Sequence, residues 1–196
     1  PVTKIASEAK HPERIIVGHP FNPAYLLPLI EICGGEKTDP AVIEAAREFY
    51  KMYDKAPCVL KKEKNGFIAN RLMHALWREE IALVTEGVCS MADADDAWTF
   101  GPGIRLAAFG PAMNYELGGG ELGLKGCAIK FGAMTDAVFA DISDMKKVPD
   151  TWADQSGEEI ITEMADFPEV IGHTKPEIAS FRDNLIINVL KMHDRM

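Results

Sequence analysis

The chain has 196 residues, 47% of them hydrophobic and 26% charged, which is the balance of a soluble globular protein. That length gives room for one sizeable core, or for one core and part of another. The formal net charge of −9 leaves no basic face for phosphates and excludes a nucleic-acid binder.

Much of the acidity lies between Asp141 and Glu169, where nine carboxylates meet only Lys146 and Lys147, the pattern of a solvated helical surface. The four cysteines (Cys33, Cys58, Cys89 and Cys127) are widely spaced, form no CxxC pair and sit among apolar neighbours. Reduced, buried thiols in a cytoplasmic protein are expected. The longest uncharged run, Ile15 to Ile30, contains His19, Asn22 and three prolines, which no membrane span tolerates easily. The sequence opens at Pro1 in what reads as the middle of a helix, so a start further upstream is expected.

In chain order, Val2 to Lys10 reads as the end of an amphipathic helix, with Val2, Ile5 and Ala9 on one face. Arg14 to Gly18 is a short β-branched run of the kind that forms a buried strand. A proline-rich loop from His19 to Pro23 follows, and Leu29 to Cys33 is a second strand candidate, ended by Gly34 and Gly35. Thr38, Asp39 and Pro40 mark a helix start, with a capping side chain and a proline at the first helical position. That helix is expected to run to about Tyr53, and Cys58 to Leu60 is a third strand candidate.

From Gly66 the character changes. Phe67 to about Glu86 is a long helix striped by Ile68, Leu72, Leu76 and Leu83. Helical patterns follow near 93–98, 105–117, 122–138, 158–165 and 176–192, and no strand pattern recurs after Leu60. A boundary is placed near Lys64. The expected fold is mainly α: residues 1–64 as the C-terminal part of a Rossmann-type α/β domain, residues 65–196 as an all-helical domain.

His19 is the most informative residue, read here as lying just after a buried strand, where ligands gather in open α/β sheets. Imidazole titrates near neutrality and suits removal of a proton from an alcohol. Glu31 is a lone carboxylate in the apolar stretch Leu27 to Ile32, and if buried it must be paired. A histidine brought alongside meets that need; the alternative is a structural histidine and an exposed edge-strand glutamate, and spacing alone does not choose. Asn70 stands one turn into the long helix, with an amide suited to a substrate oxygen or to an ordinary first-turn role. Gly118, Gly120 and Gly123 match GxGxxG formally, but no hydrophobic strand precedes them, so a helix-to-helix turn is expected instead of a dinucleotide site. No P-loop, metal-ligand or serine-nucleophile spacing occurs. Trp77, Trp98, Phe100, Phe109 and Tyr115 are expected mostly in the core, a subset of them available to cage a quaternary ammonium group.

The run from Arg14 to Pro23, with Leu29 to Glu31 and Gly66 to Leu72 following in order, resembles the L-3-hydroxyacyl-CoA dehydrogenase superfamily. The stretches from His19 to Pro28, Gly34 to Thr38, Gly101 to Arg105, Tyr115 to Gly120 and Phe181 to Leu185 are most similar to its carnitine dehydrogenase branch. The resemblance implies an NAD-dependent oxidation of a 3-hydroxyl, with His19 as general base, Glu31 as its orienting carboxylate and Asn70 near the substrate oxygen. It implies Asn22 near the nicotinamide end of NAD, a Rossmann domain followed by a helical domain that dimerises, and a short 3-hydroxy acid or its CoA thioester as substrate. The superfamily's glycine fingerprint falls before Pro1, so the chain alone is expected to bind NAD weakly and not to turn over. The competing expectation is a non-catalytic helical dimerisation module of the crystallin kind.

Overall fold

The computed structural model describes residues 1–196, the side chain of Gln155 excepted. The chain divides into two compact units, one of Pro1–Ala75 with Arg182–Met196 and one of Leu76–Phe181.

The first unit opens with helix α1 (Val2–Ile5) and a 3-10 turn (Pro12–Arg14). Three strands follow, β1 (Ile16–Pro20), β2 (Leu29–Gly34) and β3 (Ala56–Leu60), with helix α2 (Pro40–Lys51) between the last two. The β2–α2–β3 crossover makes β2 and β3 parallel, as the strand–helix–strand pattern requires. β1 and β2 are antiparallel, joined by residues 21–28, and β2 is the middle strand. That position buries Ile30, Glu31, Ile32 and Cys33. On one face Cys33 and Leu60 pack with Val2, and Ile15, Val17 and Phe67 close around them. α2 starts where the sequence placed it: the Asp39 side chain accepts from the Ala41 amide at 2.8 Å and Pro40 follows the cap. The linker after β3 is tied back to α1 by Glu63, which accepts from the Thr3 amide at 2.8 Å and from the Thr3 hydroxyl. Those bonds hold its carboxyl below the usual range.

His19 lies within β1, not in a loop beyond it. The ladder continues because His19 is register partner to the buried Glu31, and Pro20, which has no N–H to donate, closes an edge strand.

Helix α3 (Ala69–Thr85) spans both units, as does α9 (Lys175–Met192). The second unit contains α4 (Met91–Thr99), α5 (Pro102–Ala108), α6 (Pro111–Gly118), α7 (Gly123–Asp141) and α8 (Trp152–Asp166). Its buried cluster is Ile81, Met91 and Trp152, with Val84 and Met145 packed against it. The single helix expected over 105–117 is two, because Pro111 lacks an amide hydrogen and its ring excludes the carbonyl four residues back. Phe109 turns extended at the break, and the Asn114 amide donates to the Phe109 carbonyl at 2.7 Å. The glycine-rich segment is the turn between α6 and α7: Glu116 accepts from the Leu124 amide at 2.7 Å, and a side chain on Gly119 would meet the backbone of Gly123. No helix of the described residues is long and apolar enough to cross a membrane.

Two expectations about burial are corrected. Cys33 and Cys127 are buried, but Cys58 and Cys89 are only half-buried; all four are free thiols. Burial pushes the Cys33 thiol up. The aromatics Trp77, Trp98, Phe100, Phe109 and Tyr115 stand at the surface, between 38% and 71% exposed, because the helices of this unit enclose only a small core.

Candidate active site

The antiparallel register sets His19 and Glu31 directly opposite each other on one face of the sheet. His19 Nδ1 lies 3.1 Å from Glu31 Oε2. The Glu31 side chain is 1% exposed, so its charge needs partners, and it has three. Besides His19, its Oε1 accepts from the amides of Ile68 at 2.8 Å and Ala69 at 2.9 Å, the entry to α3. One carboxylate thus orients the imidazole and caps the long helix. An ionised Glu31 only accepts, so Nδ1 carries the hydrogen and Nε2 keeps its lone pair. The His19 side chain is 30% exposed, which leaves it reachable from solvent. The arrangement can take a proton at Nε2 and stabilise the imidazolium that results.

Phe67 completes the surroundings of the base. Its ring is parallel to the imidazole, with centroids 4.7 Å apart and an interplanar angle of 1°. Gly66 and Phe67 have φ of 79° and 51°, two successive left-handed residues that turn the chain sharply between β3 and α3. The same turn aims the Ile68 and Ala69 amides at Glu31. Sequence reading missed Phe67, since nothing in a lone phenylalanine marks a left-handed backbone.

Asn70 sits half-buried in the first turn of α3, adjacent to the amides that Glu31 caps. Its carbonyl is 2.7 Å from His74 Nδ1. Asn22 is exposed, three residues beyond His19 in the loop that leaves β1. Among the described residues no hydrogen bond joins either asparagine to the His19–Glu31 pair. The loop is anchored elsewhere: the Tyr25 hydroxyl donates to Asp183 Oδ2 of α9 at 2.7 Å, and Arg182 donates to Asp183 Oδ1 through Nε at 2.9 Å and Nη2 at 2.7 Å. The hydrogen bond from Tyr25 and those from Arg182 hold the Asp183 carboxyl below its usual range. Two sequence stretches noted for the same resemblance, around Tyr25 and around Asp183, therefore touch.

The sequence model of the 3-hydroxyacyl-CoA dehydrogenase NAD binding domain matches residues 1–64, and that of the C-terminal domain matches residues 66–163. The chain belongs to the 3-hydroxyacyl-CoA dehydrogenase family. An L-carnitine dehydrogenase of Mesorhizobium japonicum is 36% identical over 181 residues, covering 92% of this chain and 48% of the relative. One from a Pseudomonas species is 40% identical over 187 residues, covering 93% of this chain and 55% of the relative. The chain therefore spans about half the length of the curated relatives it matches. Among solved structures, a 5-formyl-3-hydroxy-2-methylpyridine 4-carboxylic acid 5-dehydrogenase, an NAD+-dependent dismutase, superposes with a TM-score of 0.76 at 24% identity. It matches over 98% of this chain and 60% of its own. A 3-hydroxyacyl-CoA dehydrogenase from Archaeoglobus fulgidus superposes with a TM-score of 0.59 at 22% identity over 100% of this chain and 64% of its own. These two share the fold.

Asn22 stands exposed in the loop after β1, with its amide open to a polar partner. The glycine-rich turn at 118–123 does not fit a pyrophosphate, because Glu116 already caps the α7 amide there and Gly119 lies against the backbone of Gly123.

Proposed function

We propose that this chain is the C-terminal part of an NAD-dependent dehydrogenase that oxidises the 3-hydroxyl of a short, carnitine-like hydroxy acid to the ketone. The observation that carries the reading is His19, held at Nδ1 by a buried carboxylate and, among the described residues, with no hydrogen bond at Nε2. In this reading Nε2 takes the hydroxyl proton, Glu31 stabilises the imidazolium, and Asn70 hydrogen-bonds the oxygen on which negative charge develops. NAD, when bound, supplies the acceptor for the hydride that leaves carbon 3, with Asn22 toward its nicotinamide end. The relatives' name supports a carnitine-like substrate over a CoA thioester, and so does the acidity of the chain. The reading assigns residues 1–64 to the end of the cofactor domain and 65–196 to a helical domain through which two copies associate in the cytoplasm. The family matches at 1–64 and 66–163 and the four free thiols support those assignments.

The test is NADH formation by the chain itself and by the chain joined behind the N-terminal half of the Mesorhizobium relative. L-carnitine and L-3-hydroxybutyryl-CoA are offered in parallel. Turnover of carnitine, abolished in His19→Ala, is the expected result. Turnover of the thioester alone would replace the substrate assignment. Activity with neither, in a fusion shown to bind NAD, would favour a non-catalytic helical module.

A further inference from the structure

We propose that Phe67 is a positioning residue for His19: its ring, presented by a left-handed turn, fixes the plane of the imidazole while Glu31 fixes one of its atoms. The proposal rests on the reading of His19 as the base. A hydrogen bond at Nδ1 constrains a single point of the ring. Coupled rotation about the two side-chain torsions, with Nδ1 kept on Glu31, would still tilt the ring and swing Nε2 through an arc and away from a bound hydroxyl. A parallel ring 4.7 Å from the imidazole blocks that rotation on one side, and the 1° angle between planes leaves little tilt.

The backbone supports the assignment. A left-handed φ of 51° is costly for an aromatic residue, and such strain persists only where surrounding contacts over-determine it. Here they do. Gly66 allows the turn, the Phe67 amide donates to the Lys64 carbonyl at 3.1 Å, and the next two amides end on Glu31. One four-residue turn therefore sets the base from two directions. Phe67 also lines a cavity of about 630 Å³ with Val17, Cys33 and Arg71. The imidazolium formed during turnover lies against the face of an aromatic ring, which attracts a cation.

The experiment compares Phe67→Leu, which keeps apolar bulk but removes the aromatic face, with Phe67→Tyr, which keeps the face. In the active fusion, Phe67→Leu is expected to lower kcat by about 10- to 100-fold with KM changed less than about twofold, the mark of a misplaced catalytic group. Phe67→Tyr is expected to stay within about threefold of the parent, since the stack is retained. Independently of turnover, the His19 ring protons are followed by NMR across pH in the chain, assigned by their loss in His19→Gln. Phe67→Leu is expected to move them downfield, as ring-current shielding is lost. Unmoved resonances in Phe67→Leu, or equal kcat losses in the two Phe67 variants, overturn the proposal. Far-UV circular dichroism confirms the fold of each variant. A parent without turnover whose His19 resonances still move in Phe67→Leu would sink the role of His19 as a base and uphold the stack.

Discussion

Glu31 answers two demands with two oxygens, and substitutions at this position separate them. In Glu31→Gln, Oε1 still accepts from the Ile68 and Ala69 amides, but an amide NH2 now faces His19 Nδ1. That forces the hydrogen onto Nε2, where the lone pair is needed. Glu31→Gln is expected to stay within about 1 kcal/mol of the parent in urea unfolding, yet to lose on the order of 10³- to 10⁴-fold in kcat. Glu31→Ala also strips two amides of their acceptor and is expected to cost about 2–4 kcal/mol in the same titration. A Glu31→Gln enzyme with parental kcat would mean that the carboxylate caps α3 and does nothing for the base. For His19→Ala the expected loss in kcat is about 10²- to 10⁴-fold, with urea stability nearly unchanged. Spacing alone left the pair open against a structural histidine and an exposed edge-strand glutamate, and only the resemblance singled it out. Their direct cross-strand placement was not legible, since the residues give no strand direction.

At the scale of elements, helix starts and the parallel crossover were readable from Asp39–Pro40 and from the alternation of strand and helix. The break at Pro111 was missed, although a proline inside a helical pattern signals one. Electrostatics between elements could not be read at all, because they depend on which helices become neighbours. α4 and α8 pack together, and burial pushes up the carboxyls of Glu80 of α3, Asp95 of α4 and Glu163 of α8; the charge of Asp95 adds to the rise at Glu80, that of Asp96 to the rise at Asp95, and those of Asp95, Asp96 and Glu80 to the rise at Glu163. A carboxyl that is harder to ionise in the folded state than in the unfolded chain favours folding at low pH. That advantage is lost as pH rises through the carboxylate range, and the repulsion persists above it. Glu80→Gln is therefore expected to raise Tm at pH 7 by about 1–4 °C, water screening of these partly exposed groups keeping the gain small. The gain should vanish below about pH 4, where Glu80 is protonated in both states. Equal gains at pH 4 and pH 7 would point to a packing effect in place of charge.

For the whole molecule, the exposed apolar side chains of α7 carry the argument. Leu124, Ile129, Met134, Val138 and Phe139 are between 50% and 71% exposed, and at 100° per residue they fall on several sides of the helix. A helix that is apolar nearly all round belongs in an interior, and the described residues supply no cover for most of it. Tyr115 and Leu117 of α6, the helix packed against α7, are exposed as well. A monomer rarely presents so much apolar area, and in the proposed dimer a second copy of the chain would bury it by symmetry. Light scattering after gel filtration is expected to give twice the chain mass of 21.6 kDa. Ile129→Glu, which puts a charge into that surface, is expected to shift the molecule to monomer. The two states also differ in heat stability: the Tm of a dimer that unfolds to monomers rises with protein concentration, and that of a monomer does not. The parent should therefore show a concentration-dependent Tm, and Ile129→Glu a lower Tm that is independent of concentration. A parent that runs at 21.6 kDa with a constant Tm would mean that α7 is covered by something other than its own copy.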